Sequence, residues 1–186
     1  MPRLGKRTYT VADVLEMEKT GILSGNERVE LLEGKLYTIT PPGKRHGACV
    51  NHLTAQFLQT FSERAIVRVQ RPVYLSPYTA PDPHVALLSL DGDFFEHAGD
   101  IPEDVLLMVE VSYTSLGHDL GRKLPVYAKT NIPETWVVNL QDKVVEVYTD
   151  PREGGYQQRE IYQAGEAVTL YAFPDVSIVP LAVPRP

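Results

Sequence analysis

Val105-Leu106-Leu107-Met108-Val109-Glu110-Val111-Ser112 decides how this chain is read. The run is aliphatic and partly β-branched, without the polar alternation of a half-exposed strand, so it predicts a strand buried on both faces of a sheet. One carboxylate stands inside it. Taking an isolated carboxylate out of water costs many kcal/mol unless a metal, a cation or several hydrogen bonds compensate it. Glu110 therefore implies a partner. The preceding apolar strand, residues 85–90, opens with Pro81-Asp82, and Lys123 follows on the next element. An Asp and a Glu ending adjacent strands, with a lysine close by, point to a divalent-metal site.

Working outward, Thr10 and Asp13 form a variant of the capping box, and Val11, Val14 and Leu15 give a helical stripe that Gly21 ends. Residues 28–40 predict a hairpin turning at Glu33-Gly34, and Pro41-Pro42-Gly43 breaks the chain. From His46 to Phe61 the apolar positions Cys49, Val50, Leu53, Phe57, Leu58 and Phe61 recur at helical spacing. Short strands are expected at 66–70, 73–75 and 85–90, then a polar loop over 91–104. A helix is expected within 116–130, with Pro125 either in its first turn or kinking it. Residues 135–140 and 144–149 read as a hairpin, with weaker strands at 156–163 and 167–170. The expectation is an α/β (α+β) domain spanning 1–186, a mixed central sheet flanked by helices with extra hairpins.

The 186 residues suffice for a core without disulfides, and the lone Cys49 excludes a thiolate metal cluster and reads as a small packing side chain. No signal region or membrane-length apolar stretch is visible, so a cytoplasmic protein without membrane contact is expected. The formal net charge of −6 argues against a high-affinity nucleic-acid binder. It is compatible with an enzyme that binds DNA weakly, since Lys44-Arg45, Arg64, Arg68, Arg71 and Arg122-Lys123 form local basic clusters.

Pro81-Asp82, Glu110-Val111-Ser112, Arg122-Lys123 with Tyr127, and Pro133-Glu134-Thr135-Trp136-Val137-Val138 together resemble the Uma-type restriction-endonuclease-like family. These are small bacterial proteins related to the PD-(D/E)xK nucleases. The leading segment Arg28-Val29-Glu30-Leu31-Leu32-Glu33-Gly34-Lys35-Leu36, with Pro41-Pro42 and His46, is similar as well. The resemblance covers roughly residues 8–150. It implies a nuclease-like core in which Asp82, Glu110 and the Val111 carbonyl hold Mg²⁺ or Mn²⁺. Lys123 would orient or deprotonate the attacking water, its pKa lowered by the ion and by burial. DNA is the implied substrate and a homodimer the implied assembly for double-strand cutting.

The parent motif carries its lysine at the position of Ser112, and Lys123 matches the place where the resembled family carries it instead. Asp119 could pair with Lys123 across one helical turn. Asn131 and Asn139 stand where that family more usually has glycine and aspartate. Glu30, His46, Ser112 and Tyr127 are auxiliary candidates, Tyr127 being as much a core residue as a site residue. Trp136 reads as core, while His84, His97 and His118 share no metal spacing and receive no role. Two other functions fit the same residues: a protein of this fold that binds nucleic acid or protein without cutting, and a hydrolase of small phosphoesters.

Overall fold

The computed structural model describes residues 8–24, 27–39, 43–90 and 102–182. The Pro41-Pro42 break, His97 and most of the 91–104 loop lie outside the described residues. Helix α1 (Val11–Lys19) begins at Thr10, whose hydroxyl accepts from the Asp13 amide while the Asp13 carboxylate accepts from the Thr10 amide, a complete capping box. Strands β1 (Val29–Leu32) and β2 (Lys35–Thr38) form the expected hairpin. Its two turn residues, Glu33 and Gly34, both have positive φ. Gly34 is required there twice over, because an added Cβ would also lie 2.2 Å from the Thr8 methyl carbon.

Helix α2 (Lys44–Phe61) buries His46, Cys49, Val50, Leu53, Phe57 and Phe61 on one face. Strands β3 (Ile66–Val69), β4 (Val85–Leu88) and β5 (Val105–Ser112) follow, with a 3₁₀ turn at Pro102–Asp104. The expected strand at 73–75 is absent. Val73 and Leu75 instead donate backbone hydrogen bonds to the carbonyls of Pro81 and Thr79, closing a loop on itself rather than joining a sheet. Between β5 and β6 (Glu134–Asn139) the chain is helical: α3 (Leu116–His118), a π-turn at Asp119–Lys123, and α4 (Leu124–Lys129). The π-turn explains how Pro125 is tolerated. The Leu124 amide bonds the Asp119 carbonyl, so the ladder has already slipped by one residue before the proline fails to donate. Strands β7 (Val144–Arg152), β8 (Gly155–Gln163), β9 (Val168–Thr169) and β10 (Ser177–Ile178) complete the described chain.

The central sheet has the order β3-β4-β5-β6-β7-β8, antiparallel except for the parallel β5–β6 pair at its middle. On one face Leu107, Val109 and Val111 of β5 pack with Leu53, Phe57 and Phe61 of α2 and with Trp136. On the other, Met108 packs with Ala86, Leu88, Tyr127 and Ile132. Side chains alternate along a strand, so Glu110 shares the second face with Met108. That is the face covered by the helical crossover, which carries Lys123 and Tyr127. Asn131 and Asn139 both find a local reason: Asn131 adopts φ 59°, a region asparagine tolerates better than most residues, and the Asn139 side-chain Oδ1 accepts from the amides of Gln141 and Asp142 in the β6–β7 turn.

Candidate active site

The site assembles where β4 begins and β5 ends. Val85 lies opposite Val109 in the antiparallel ladder, and the His84 amide donates to the Val109 carbonyl at 3.1 Å. One further step of that register sets His84 against Glu110. The β1 hairpin is fastened to the same corner by the Leu31–Ala80 bridge, and the Asp82 amide donates to Glu30 Oε2 at 3.3 Å.

Glu110 is 1% exposed, and both of its oxygens are engaged. Oε1 lies 2.7 Å from Lys123 Nζ and accepts from the Tyr127 hydroxyl at 2.6 Å; Oε2 lies 2.7 Å from His84 Nδ1. Lys123 is equally buried and also reaches Glu30 Oε2 at 3.1 Å and the Asp82 carbonyl at 3.2 Å. Burial pushes the Glu110 carboxyl up, but the Lys123 charge and the His84 bond outweigh it and hold the group down at about 2. Burial likewise raises Glu30, and the bond from His118 with the charge of Lys123 brings it below the ordinary value.

Burial lowers Lys123 as the sequence reading expected, yet Glu110 and Glu30 overcome it and raise the pKa above that of an ordinary lysine. Without a bound cation Lys123 is thus a fixed ammonium rather than a lowered-pKa base. Asp119 acts on it electrostatically but is not its ion-pair partner among the described residues. The intervening turn is π rather than α, and Asp119 Oδ2 is held by the hydroxyls of Ser112 and Ser115, each at 2.7 Å.

Asp82 is paired on one side only. Its Oδ2 accepts from Arg28 at 2.5 Å, while Oδ1 is buried without a hydrogen-bond partner. His46 Nε2 lies 2.7 Å from His84 Nε2, and His46 Nδ1 is the other buried side-chain atom without a partner among the described residues. Burial and the neighbouring His84 lower the His46 ring to about 4, against the Val111 backbone and Glu110, which pull it up. His118 Nε2 lies 2.7 Å from Glu30 Oε1, and its ring meets the Tyr37 ring edge-on. The sequence reading gave His84 and His118 no role, and both touch a site carboxylate.

A cleft of about 730 Å³ opens over this corner. Asp82, Glu30, Asp119, Lys123, His46, His84 and His118 line it, with Arg28, Lys44 and Arg45 among its walls. Glu110 does not. Of the two carboxylates read as metal ligands, Asp82 offers a free buried oxygen that a cation would satisfy, whereas Glu110 is committed to Lys123, Tyr127 and His84. No three described His, Cys, Asp or Glu side chains form a complete metal cage.

The sequence profile of the Uma2 family, described as "Putative restriction endonuclease", matches residues 11–183. The chain belongs to the Uma2 family. No curated protein matches it. Among solved structures it is similar to the crystal structure of a "putative nuclease" from Anabaena variabilis ATCC 29413, with a TM-score of 0.70 and 12% identity over 92% of this chain and 94% of that one. That likeness concerns the fold, which is nuclease-like. In this Uma2 chain Ser112, where the parent motif has lysine, is fully buried and spends its hydroxyl on Asp119, while Lys123 brings the ammonium to Glu110 from the helical side. Among the described residues no helix is long and apolar enough to cross a membrane.

Proposed function

We propose that this Uma2 chain is a metal-dependent endonuclease that hydrolyses DNA phosphodiester bonds in the cleft over Asp82. The observation that carries the reading is the 2.7 Å contact between Lys123 Nζ and Glu110 Oε1. It restores, from the crossover helix, the carboxylate–ammonium pair that Ser112 removes from the strand.

Asp82 Oδ1 and the Val111 carbonyl would hold Mg²⁺ or Mn²⁺, hard cations that favour oxygen donors. Such an ion, when bound, polarises a phosphoryl oxygen and makes its coordinated water nucleophilic near neutral pH. The protein's own groups do the rest. Lys123, fixed between Glu110 and Glu30, directs a permanent positive charge at the floor of the cleft, where negative charge grows on the phosphoryl oxygens. Tyr127 and His84 keep Glu110 ionised and oriented. Arg28, Lys44 and Arg45 offer phosphate contacts at the wall, a local exception to the acidic total.

Plasmid and oligonucleotide DNA incubated with Mg²⁺ or Mn²⁺ should be cut, EDTA should stop the reaction, and Asp82→Asn should slow it about 10²–10³-fold. Intact DNA under both metals at high protein concentration would reject the reading. One observation favours a second: with net charge −6 and Glu110 fully bonded inside the protein, the fold could bind a partner without cutting. DNA retention in gel shifts with no cleavage under either metal selects it.

A further inference from the structure

We propose that the cleft takes an unpaired DNA strand, and that the ring of Tyr113 is the platform on which one of its bases stacks. The inference rests on the cleft being a nucleic-acid site, and names the form of nucleic acid that enters it.

Of the large apolar and aromatic side chains exposed among the described residues, Tyr113 alone lines the cleft. It is 39% exposed. Among the described residues its ring meets no other ring and its hydroxyl makes no hydrogen bond. The other tyrosine of the cleft wall, Tyr37, is already set edge-on against His118. A half-exposed ring is ordinary on a protein surface. What separates Tyr113 from such a ring is how its backbone is held.

Tyr113 sits in the turn between β5 and α3, and both flanks of that turn are tied down. The Ser112 and Ser115 hydroxyls each donate to Asp119 Oδ2 at 2.7 Å. The Ser112 carbonyl accepts from the Leu140 amide at 2.9 Å, and the Ser115 carbonyl accepts from the amides of His118 and Asp119. The backbone under the ring is therefore fixed before any ligand arrives. That removes the ordering cost a loose loop would meet on binding. It also gives buried Asp119 a task in the cleft.

Arg28, on the hairpin wall, is anchored in the same fashion. Its Nη2 donates to the Gln70 carbonyl at 3.2 Å and to Asp82 Oδ2 at 2.5 Å, while the side chain is 42% exposed. Its other guanidinium nitrogens have no protein partner among the described residues, which leaves donors for a phosphate. Cations along a groove with an aromatic ring beside them suit a single strand, whose backbone follows the charges while its bases stack on the ring.

Depth and charge both favour the unpaired form. Asp82 and Lys123 are buried at the floor of a cleft of about 730 Å³, the size of a small-molecule site. There is room for a splayed nucleotide and its phosphate, not for the width of a double helix. In a duplex both faces of a base are covered by its neighbours, so a ring reaches one only where the stack is broken. The net charge of −6 penalises a duplex held by its phosphates, whereas single strands depend less steeply on counterion release and draw on stacking, which net charge does not oppose. A supercoiled plasmid offers such strands where its helix opens.

The test is fluorescence anisotropy of a labelled oligonucleotide with the full chain, as a single strand and annealed to its complement, without divalent metal so that nothing is cut. The single strand should bind more tightly than the duplex. Tyr113→Leu should weaken single-strand binding on the order of 10- to 100-fold, and Tyr113→Phe, which keeps the ring, should stay near wild type. Thermal melts of both variants should match the wild type, because the side chain is exposed. Duplex bound as tightly as single strand, full affinity in Tyr113→Leu, or Tyr113→Phe as weak as Tyr113→Leu overturns the proposal. Tighter binding of single-stranded RNA of the same sequence overturns the assignment to DNA. Its failure is distinct from that of the nuclease reading. Single-strand binding that needs the Tyr113 ring, with DNA intact under either metal, removes the nuclease and keeps the platform; metal-dependent cleavage by Tyr113→Leu at the wild-type KM does the reverse.

Discussion

Two strands of the sheet bury a glutamate in an apolar run, and the two are used differently. Glu110 of β5 sits in Met108-Val109-Glu110-Val111, and Glu146 of β7 in Val144-Val145-Glu146-Val147; they are 1% and 4% exposed. Glu146 is answered by Arg159 of the adjacent β8, whose Nε and guanidinium NH2 nitrogen lie 2.8 and 2.7 Å from its Oε2, and by the Tyr148 hydroxyl. Arg159 is half exposed, and none of the three lines the large cleft. Around Glu110 the cation is itself buried, a second carboxylate shares it, and two further buried side-chain atoms, Asp82 Oδ1 and His46 Nδ1, have no hydrogen-bond partner among the described residues. A buried acid alone does not mark a functional site. Buried polar atoms left without partners beside a cleft do.

The sharpest way to break this contrast is to remove each cation. Lys123→Met strands Glu110 and Glu30 without their shared charge, and losing one partner of a buried pair costs about 3–5 kcal/mol. Arg159→Met leaves Glu146 with Tyr148 and access to solvent beside a half-exposed strand, so its cost should be near the low end of about 1–3 kcal/mol. Urea unfolding of both variants measures the difference. Equal losses would mean that the two glutamates stand in equivalent environments.

The next contrast separates stability from activity. Asp82→Asn removes a charge whose Oδ1 has no partner and whose Oδ2 pairs only with the half-exposed Arg28, so the fold should lose little, while cleavage should fall about 10²–10³-fold, the usual scale for losing one preorganised electrostatic group. Glu146→Gln should do the opposite, lowering the unfolding midpoint and leaving cleavage unchanged. Parallel thermal melts and plasmid assays decide. If Asp82→Asn loses as much stability as Glu146→Gln, its orphan oxygen is no functional surplus.

The comparison also shows which parts of the site could be read from the chain. The argument that singled out Glu110 applies word for word to Glu146, so sequence alone could not say which one served a site. The apolar period of α2 carried more than it was asked to: His46 continues the stripe of Val50, Leu53 and Phe57, which already placed it against the sheet. His84 was hidden because its role follows from register. Only once Val85 is known to face Val109 does His84 fall beside Glu110. Lys123 could be named from the resemblance, but not its charge state, since two carboxylates outweigh the burial that would have made it a base. Pro125 announced an irregularity without giving its form. The π-turn that resulted turned Asp119 toward Ser112 and Ser115, and a reading at 3.6 residues per turn could not supply that.

Acid should expose the same asymmetry. Glu110 ionises near 2 in the fold against 4.5 ordinarily. A carboxyl depressed by folding stabilises fully above its unfolded pKa, and the contribution is lost as pH falls from about 4.5 toward 2. Glu134 of β6 has the opposite sign: burial raises its carboxyl, despite the bonds from Trp136 and the Tyr171 amide, so falling pH relieves a cost there. The wild type should therefore destabilise steeply across that window, and Glu110→Gln should flatten the acid limb. Glu134→Gln should leave that limb in place. Stability measured at several pH values by urea melts checks both, and an unchanged slope in Glu110→Gln would place the acid sensitivity elsewhere.

The smallest effect tests how each glutamate is held. Tyr127 donates to Glu110 Oε1, which Lys123 also holds, whereas Tyr148 shares Glu146 Oε2 with Arg159. Tyr127→Phe keeps the ring that packs with Met108 and Ile132 and deletes one hydrogen bond to a charged acceptor, a loss of about 1.5–3 kcal/mol at most when nothing replaces it. Lys123 remains on the same oxygen, so the measured cost should fall below that range, with a modest drop in cleavage as Glu110 gains freedom. Tyr148→Phe should cost a similar amount and leave cleavage untouched. The informative quantity is the double-mutant coupling between Tyr127→Phe and His84→Phe, scored by Mn²⁺ affinity. Both residues hold the same carboxylate from opposite oxygens, so their effects should be non-additive if each acts on the site through Glu110. Strict additivity would mean that the carboxylate passes nothing from one side to the other.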